Sequence, residues 1–374
     1  MAGKEHHKFP FKLVLLVTLL ASLILFQYIR LSRQARNSNF RDFKIYRKNA
    51  MLLIYGRNPY KKTFDYPPSS FTFFLPLNMV SMRTGRTIFK DITIASLILT
   101  VFFLLFPFKV HYIFQLAMML FFMISFPVIH TLRLGQVNLF VLFLISLTFF
   151  FHFKKKKYLA GLCFGLAAGI KPLVIPVGIF FLLLGDFLSL ISGASVFVIL
   201  NLIVMHIGGF SLRYFRAILP GMFVYTSKNP EIYNQSLRAF MTRINFYDFS
   251  LILSMIITAI LAAAATIKYL RLRKNKTVPY HELKFFSQIL LLPIIGNSFA
   301  HTHHYVFAIP LALTMFLIFH EKRNYVMLMF LSAALLLFSL NPVWVGNFTF
   351  ANAVLSNNTL FGALILFFLS LVYY

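Results

Sequence analysis

Carboxylates are scarce in this 374-residue sequence, and that scarcity narrows the search for a general base. Nine Asp and Glu residues stand against 36 Lys and Arg residues. Asp42 directly follows Arg41 and opens the stretch from Phe43 to Tyr55, whose apolar and aromatic spacing suits a helix lying in a membrane interface. A carboxylate that is partly desolvated beside a cation can accept a proton from a hydroxyl group. The alternative for Asp42 is a helix N-terminal acid that interacts with the helix dipole. Asp65, before a Tyr-Pro-Pro sequence, is expected to fix a turn instead.

Two cations are expected inside apolar segments. Arg133 and Lys171 each interrupt a hydrophobic run. A lone charge in such surroundings is costly and usually functional, and a cation there can stabilise an anionic group such as a phosphate. The alternative is that each side chain reaches towards the membrane surface.

Amides and histidines supply further polar groups. The amides Gln136, Asn138, Asn234 and Gln235 can bind substrate hydroxyls or link one helix to another. His301, His303 and His304 form an H-T-H-H cluster, but residues two apart do not share a helical face and no carboxylates cluster beside them. We therefore expect no metal site. Hydrogen bonding by His303 and His304 to a phosphate or a hydroxyl is favoured over a packing role at a helix start.

The elements that position these residues are membrane helices. Hydrophobic residues make up 59% of the chain, including 48 Phe, which is more than a water-exposed surface allows. We expect one all-α, polytopic membrane domain spanning residues 1–374, with a retained first helix and, because Cys163 is the one cysteine, no internal disulfide. The spanning candidates are residues 11–30, 91–107, 137–153, 187–207, 249–270, 283–300, 303–320, 324–342 and 353–372, with 67–82 shorter.

Charge predicts the orientation of these helices. The short basic loops 83–90, 154–157, 271–276 and 321–323 are expected in the cytoplasm, and the longer loops 31–66 and 208–248 outside. Loop 31–66 is itself basic, so the rule applied to the whole chain is close to a tie. With this orientation, residues 109–136 must begin and end on the outer side of the membrane, and residues 158–184 on the cytoplasmic side. Both segments are therefore expected to be broken or re-entrant hairpins, with Lys171 at a tip facing an outer polar cavity. The net charge of +27 suits anionic lipids and a phosphorylated substrate better than nucleic acid.

Several short motifs follow one another in a recognisable order. They are D-x-x-x-Y at Asp42 to Tyr46, G-R-N-P-Y at Gly56 to Tyr60, F-D-Y-P-P at Phe64 to Pro68, L-R-L-G-Q-V-N at Leu132 to Asn138, G-L-A-A-G-I-K-P at Gly165 to Pro172, N-Q-S-L at Asn234 to Leu237 and H-H-Y at His303 to Tyr305. This order resembles the bacterial polyprenyl-phosphate-mannose-dependent α-mannosyltransferases of the GT-C superfamily. The chain departs from that pattern at residues 296–302, where G-N-S-F-A-H-T replaces the family's frequent S-P-x-S-W.

The resemblance implies a fold, a reaction and site residues. It implies a GT-C bundle of about 10–12 transmembrane helices with the active site at the outer face of the plasma (inner) membrane. A sugar, expected to be mannose, would pass from polyprenyl phosphate to a lipid or glycan hydroxyl with inversion, with Asp42 as base and without any cofactor or metal. The donor phosphate would contact Arg133, Lys171, His303 and His304, and sugar or acceptor would contact Gln136, Asn138, Tyr46, Tyr60, Asn234 and Gln235. The partners would be this donor, the acceptor and membrane lipids, and not nucleic acid.

Two other functions remain open at this stage. A transporter or flippase for a phosphorylated lipid also suits broken helices and intramembrane cations, although the two halves of the chain show no paired inverted repeat. An ion channel is disfavoured because the sequence has no filter-like segment and no ring of acidic residues.

Overall fold

The chain forms helices throughout the part that the structure, a computed structural model, describes. This part comprises residues 11–61, 64–208, 212–224, 230–273, 279–342, 352 and 355–373. Its α-helices are α1 (Phe11–Asn37), α2 (Arg41–Ile54), α3 (Phe71–Phe74), α4 (Met82–Leu105), α5 (Tyr112–Ile124), α6 (Phe126–Leu134), α7 (Asn138–Phe153), α8 (Lys157–Ile170), α9 (Val177–Leu184), α10 (Phe187–Gly208), α11 (Leu219–Val224), α12 (Leu237–Arg243), α13 (Ser250–Arg273), α14 (Pro279–Gly296), α15 (Ile309–Glu321), α16 (Tyr325–Ser339) and α17 (Asn358–Val372).

Many of these helices are built to lie in a lipid bilayer. Five helical segments in the described ranges are long and apolar enough to cross a membrane: Leu13–Ala35, Met82–Phe108, Phe187–Gly208, Ser250–Arg273 and Thr302–Glu321. Helices α5 and α6 meet the same test as a pair, and five shorter apolar segments of 10–17 residues accompany them. The predicted all-α, polytopic membrane fold is confirmed.

Two of these membrane helices are broken, as predicted from their polar and proline residues. Helices α5 and α6 meet at an angle of 60°, and Ser125 between them is extended. Helices α8 and α9 are separated by Lys171, which is also extended, and by a 3₁₀ turn at Pro172–Val174. A proline restricts the residue before it to extended conformations, so Pro172 explains the position of the second break.

Close packing of α8 against α10 holds the helix before that break in place. A Cβ atom at Gly161 would lie 2.4 Å from the carbonyl oxygen of Ser189, and one at Gly165 would lie 2.4 Å from that of Gly193. Small residues four apart allow two membrane helices to approach this closely. The end of α8, and with it Lys171, is therefore fixed relative to α10.

The expected first outer loop, residues 31–66, is largely helical. Helix α1 continues to Asn37, and α2 buries Phe43, Tyr46, Ala50 and Leu53 on one face, as its amphipathic spacing predicts. The predicted short span at 67–82 is wrong. Short turns at Pro68–Ser70, Phe71–Phe74 and Pro76–Asn78 occupy it, because its prolines interrupt regular helix. Of the other predicted loops and spans, residues 62, 63, 209–211, 225–229, 274–276, 353 and 354 lie outside the described residues.

Candidate active site

Helix α2 carries Asp42 at its first turn, and a strained residue sets where that turn begins. Phe40, just before α2, has a φ of 49°, a conformation that costs a non-glycine residue about 1–2 kcal/mol. Its ring is buried against those of Phe43 and Phe89, at centroid distances of 5.6 and 6.2 Å. Aromatic packing therefore holds the backbone turn that leads from α1 into α2. Asp42 lies half-buried at the edge of the face that α2 presents to the bundle.

The Asp42 carboxylate is held by a side-chain amide. Gln136 Nε2 donates a hydrogen bond to Asp42 Oδ2, while Gln136 Oε1 accepts hydrogen bonds from the hydroxyls of Tyr46 at 2.7 Å and Tyr66 at 3.0 Å. Because an ionised carboxylate can only accept hydrogen bonds, the amide nitrogen faces Asp42 and the amide oxygen faces the two hydroxyls. Gln136 is itself fixed by Gly135, which ends α6 with a φ of 69°. These contacts orient Asp42 before any substrate binds.

The surroundings of Asp42 tune its proton affinity. Burial raises the pKa of the Asp42 carboxyl, and the hydrogen bond from Gln136 and the positive charges of Arg41 and Lys171 act in the opposite direction. Burial prevails, so the pKa lies above its usual value. A carboxylate with a raised pKa is a stronger base than an exposed one.

Lys171 brings a buried positive charge to the same region. Its side chain is 8% exposed, and Nζ donates a hydrogen bond of 2.5 Å to Asn138 Oδ1. The ammonium group also lies 5.9 Å from the centroid of the Tyr66 ring, and the carboxylates of Asp42 and Asp65 are close enough for their charges to act on it. The break between α8 and α9 therefore places a cation beside the candidate base.

The histidines meet this region through a backbone carbonyl. Asn138 Nδ2 and Thr131 Oγ1 both donate to the carbonyl oxygen of His303, at 2.8 and 3.3 Å. The rings of His303 and His304 lie 4.4 Å apart, and in the described structure Nδ1 of each ring is buried without a hydrogen-bond partner. No group of three or more His, Cys, Asp or Glu residues arranged to hold a metal ion occurs among the described residues. These ring nitrogens remain available for a polar group of a substrate.

Arg133 lies elsewhere, and the expectation that it sits in apolar surroundings is wrong. Its side chain is exposed at the last turn of α6 and lines a cavity together with Arg30 and Arg33 of α1. Neither Lys171 nor either histidine of the H-H-Y motif lines this cavity. The end of a helix lets a long guanidinium side chain reach a polar surface, which explains the difference. The structure thus separates two cations that the sequence analysis grouped.

Three other predicted site residues are engaged with the protein itself. Asn234 lies in the bridge to His301, and its Oδ1 accepts hydrogen bonds from the backbone N–H groups of Ser236 and Ala300. Gln235 Nε2 donates to the carbonyl oxygens of Ile232 and Ser356. Tyr60 is buried, and its hydroxyl donates to the backbone carbonyl of Tyr66 at 3.0 Å. Their contacts hold the loops of the site together.

Tyr66 is the residue of this site that the sequence analysis did not select. Its hydroxyl shares Gln136 with Tyr46, and its ring faces Lys171. The segment after it is anchored by Ser69, whose N–H donates to Asn201 Oδ1 and whose hydroxyl donates to the carbonyl of Gly169. The F-D-Y-P-P motif signalled a turn, and the tyrosine in it also belongs to the site.

Comparison with known proteins identifies the family. No curated protein matches this sequence. The sequence model of glycosyltransferase family 87 matches residues 64–293, a range that contains Gln136, Asn138 and Lys171 and begins after Asp42. Because this match covers more than half of the chain, the chain belongs to glycosyltransferase family 87 and is a membrane glycosyltransferase.

Proposed function

We propose that this glycosyltransferase moves a hexose, mannose by resemblance, from a polyprenyl-phosphate donor to a hydroxyl of a lipid or glycan acceptor at the outer face of the membrane. One observation carries the proposal. Asp42, on the interfacial helix α2, is oriented by Gln136 and lies within the field of the buried Lys171. A base beside a fixed cation is what transfer from a phosphate leaving group requires.

The reaction can be followed bond by bond. Asp42 accepts the proton of the acceptor hydroxyl while the hydroxyl oxygen forms a bond to the anomeric carbon of the sugar. The bond between that carbon and the phosphate oxygen breaks, and its electron pair leaves with the polyprenyl phosphate. Lys171 stabilises the negative charge that develops on the departing oxygen. A single displacement of this kind inverts the configuration at the anomeric carbon.

The neighbouring residues take supporting roles in this proposal. Tyr46 and Gln136 position the base through the hydrogen bonds described above. Asn138 holds the ammonium group of Lys171, and so fixes the cation before the charge appears. His303 and His304 have unpartnered ring nitrogens that suit the donor phosphate or an acceptor hydroxyl.

The test is a transfer assay with the purified chain in lipid nanodiscs. The donor is polyprenyl phosphate carrying radiolabelled mannose, the acceptor source is an extract of bacterial lipids, and the release of polyprenyl phosphate is measured. We expect release that depends on the extract and a loss of at least about 10²-fold in Asp42→Asn, because general base catalysis contributes about that much. The matched control is Asp248→Asn, which removes an exposed carboxylate outside the site. Full activity of a folded Asp42→Asn protein would remove Asp42 from this role.

Transport of the lipid donor is the second candidate, favoured by the two broken helices and the buried Lys171. The same preparation distinguishes it in sealed vesicles. Movement of intact labelled lipid from one leaflet to the other, without release of polyprenyl phosphate, would support transport. Release without such movement supports the transferase.

A further inference from the structure

The exposed end of α1 forms a cavity that the transfer reaction described above does not use. The cavity has a volume of about 530 Å³ and lies between the last turns of α1 and the end of α6. Arg30, Arg33 and Arg133 line it, together with Phe26, Ile29 and Gln34. We refer to it as the arginine pocket.

The charges in the arginine pocket are not balanced by the protein. No carboxylate lines the pocket, and in the described part of the chain no ion pair involves any of its three arginines. Gln34 Oε1 is buried there without a hydrogen-bond partner. Three guanidinium groups around one cavity repel one another unless an anion lies between them. Their planar, forked donor groups match a phosphate in particular.

The surface below the pocket is suited to a hydrocarbon chain. None of residues 13–30 of α1 is buried in the protein, and Leu19, Leu23 and Phe26 are exposed at helical spacing on the side that leads to Arg30 and Arg33. Arg33 follows Phe26 by seven positions, which is about 10 Å along the helix axis. Over this distance the surface changes from apolar to cationic, and this change matches the hydrocarbon chain and the anionic head group of a lipid in one leaflet.

The pocket also lies beside Asp42. Ser38 lines it and precedes Asp42 by four residues, and Arg133 precedes Gln136, the partner of Asp42, by three. An extended chain advances about 3.5 Å per residue at most, so both connections are shorter than about 14 Å. The pocket and the candidate base therefore lie on neighbouring segments of the chain.

We propose that the arginine pocket binds the phosphate group of a membrane lipid whose hydrocarbon chain lies along the exposed face of α1. The three arginines hold the phosphate, the side-chain N–H group of Gln34 donates one further hydrogen bond to it, and Phe26 and Ile29 contact the first carbons of the chain. The inference concerns binding alone and does not rest on the transfer reaction. The phosphate has two possible sources, a polyprenyl phosphate or an ordinary anionic phospholipid.

Lipid retention tests this proposal on the full-length chain. The purified protein is captured from mixed micelles of phosphatidylcholine that contain undecaprenyl phosphate, phosphatidylglycerol or neither, and the retained lipid is extracted and quantified. We expect one or both phosphate lipids to be enriched over phosphatidylcholine. The Arg30→Gln, Arg33→Gln, Arg133→Gln triple variant should retain at least about tenfold less of them, because charged hydrogen bonds to phosphate dominate such binding.

A charge-matched variant controls for general electrostatic attraction. Lys48→Gln, Arg57→Gln, Arg213→Gln also removes three exposed positive charges, and none of these residues lines the pocket. It should change retention by less than about twofold, since exposed charges away from the phosphate are screened. If the triple variant at the pocket does not fold, the three single variants are measured in its place. They carry changes only at exposed side chains, and each should lower retention by about threefold.

The outcomes separate the possible occupants. Enrichment of undecaprenyl phosphate alone identifies a polyprenyl lipid, and enrichment of phosphatidylglycerol alone identifies a phospholipid. Equal losses in the two triple variants, or competition by inorganic phosphate at the same concentration as the lipid, would overturn the proposal. Retention that depends on the pocket in an Asp42→Asn protein without transfer activity would uphold it even if the proposed reaction failed.

Discussion

Substitution of Gln136 by leucine gives a direct test of how Asp42 is held. The change keeps much of the side-chain volume at a position that is 7% exposed. It removes the N–H donor to Asp42 and the oxygen that accepts the hydroxyls of Tyr46 and Tyr66. The two hydroxyls lie 2.7 Å apart and can bond to each other, so one of them is left without an acceptor.

The expected size of the effect follows from the lost hydrogen bonds. A hydrogen bond to a charged group contributes about 1.5–3 kcal/mol. Because the bond from Gln136 favours the ionised form of Asp42, its loss raises the pKa of that carboxyl further. The buried hydroxyl without an acceptor lowers the free energy of unfolding by about 1–3 kcal/mol.

The assay is the pH dependence of sugar transfer in nanodiscs. A base must be ionised, so activity rises with pH through the pKa of Asp42. The rising limb of the Gln136→Leu profile should therefore lie at higher pH than that of the wild type, and the rate should recover at high pH. Gln136→Glu should shift the limb in the same direction, because a second carboxyl group disfavours ionisation of the first.

A different outcome would refute the reasoning. If Gln136 only supports the fold, the rate falls by the same factor at every pH, and the rising limb keeps its position. Thermal unfolding of each variant, measured in the same nanodiscs, shows how much protein remains folded at the assay temperature. An unshifted limb in a folded Gln136→Leu protein would mean that Gln136 does not set the pKa of the base.

Three further predictions concern the same region. Because burial raises the pKa of Asp42, folding favours its protonated form, and the stability of the protein falls as the pH rises through that pKa. At pH 8, Asp42→Asn should therefore unfold at the wild-type temperature or above it, and the difference should shrink in acid. A lower unfolding temperature of the variant at pH 8 would contradict this. Lys171→Met should lower kcat by about 10²–10³-fold and Lys171→Arg by less, whereas unchanged turnover in the methionine variant would exclude charge stabilisation by this residue. Gly135→Ala should lower the unfolding temperature more than Gly56→Ala does. Both glycines have a positive φ, but of the two only Gly135 has a close neighbour, since a Cβ atom there would lie 2.8 Å from the Phe40 ring. Equal decreases in the unfolding temperature would show that the Phe40 ring moves aside.

The helices and their breaks could be predicted because local physics determines them. Apolar runs long enough to span a bilayer fix where helices form, and Pro172 fixes the conformation of Lys171 whatever surrounds it. The amphipathic spacing from Phe43 onwards likewise predicted α2. The region 67–82 was misjudged because its composition resembles a span, while its prolines allow only short turns.

The arrangement of the site could not be predicted, because it depends on contacts between distant segments. Arg133 and Gln136 are three residues apart, which on a continuous helix would place them on one face. Gly135, with a φ of 69°, turns the chain between them. Gln136 therefore donates a hydrogen bond to Asp42, while Arg133 lines a cavity with Arg30 and Arg33. Arg30 and Arg33 carry no signal of their own, since basic residues commonly follow a membrane helix.

The same dependence explains which polar residues are left for a ligand. Asn234 and Gln235 looked as suitable for sugar binding as Asn138, but residues 298 and 300 occupy the amide of Asn234, and residue 356 occupies the side-chain N–H group of Gln235. In the described part of the chain this leaves the buried Oε1 of Gln235 without a hydrogen-bond partner. Gln136 is also occupied, yet its partners are Asp42 and two tyrosines that surround the base. Whether a polar side chain is part of the site therefore depends on which groups it hydrogen-bonds to, and a sequence motif does not show those partners.

The two cationic centres differ in a way that matches two physical tasks. Lys171 is buried and fixed by Asn138, so its charge is in place before a leaving group develops negative charge, and little reorganisation is needed when that happens. The three arginines are exposed, two near the end of α1 and one at the end of α6, and in our proposal they bind a phosphate that arrives within the leaflet. The buried lysine cannot capture a lipid from the membrane, and the exposed arginines are too hydrated to stabilise a transition state as strongly. Gly135 lies in sequence between Arg133 and Gln136, and Phe40 between Arg33 and Asp42, so each of these left-handed turns separates an arginine of the pocket from the hydrogen-bonded pair of Asp42 and Gln136.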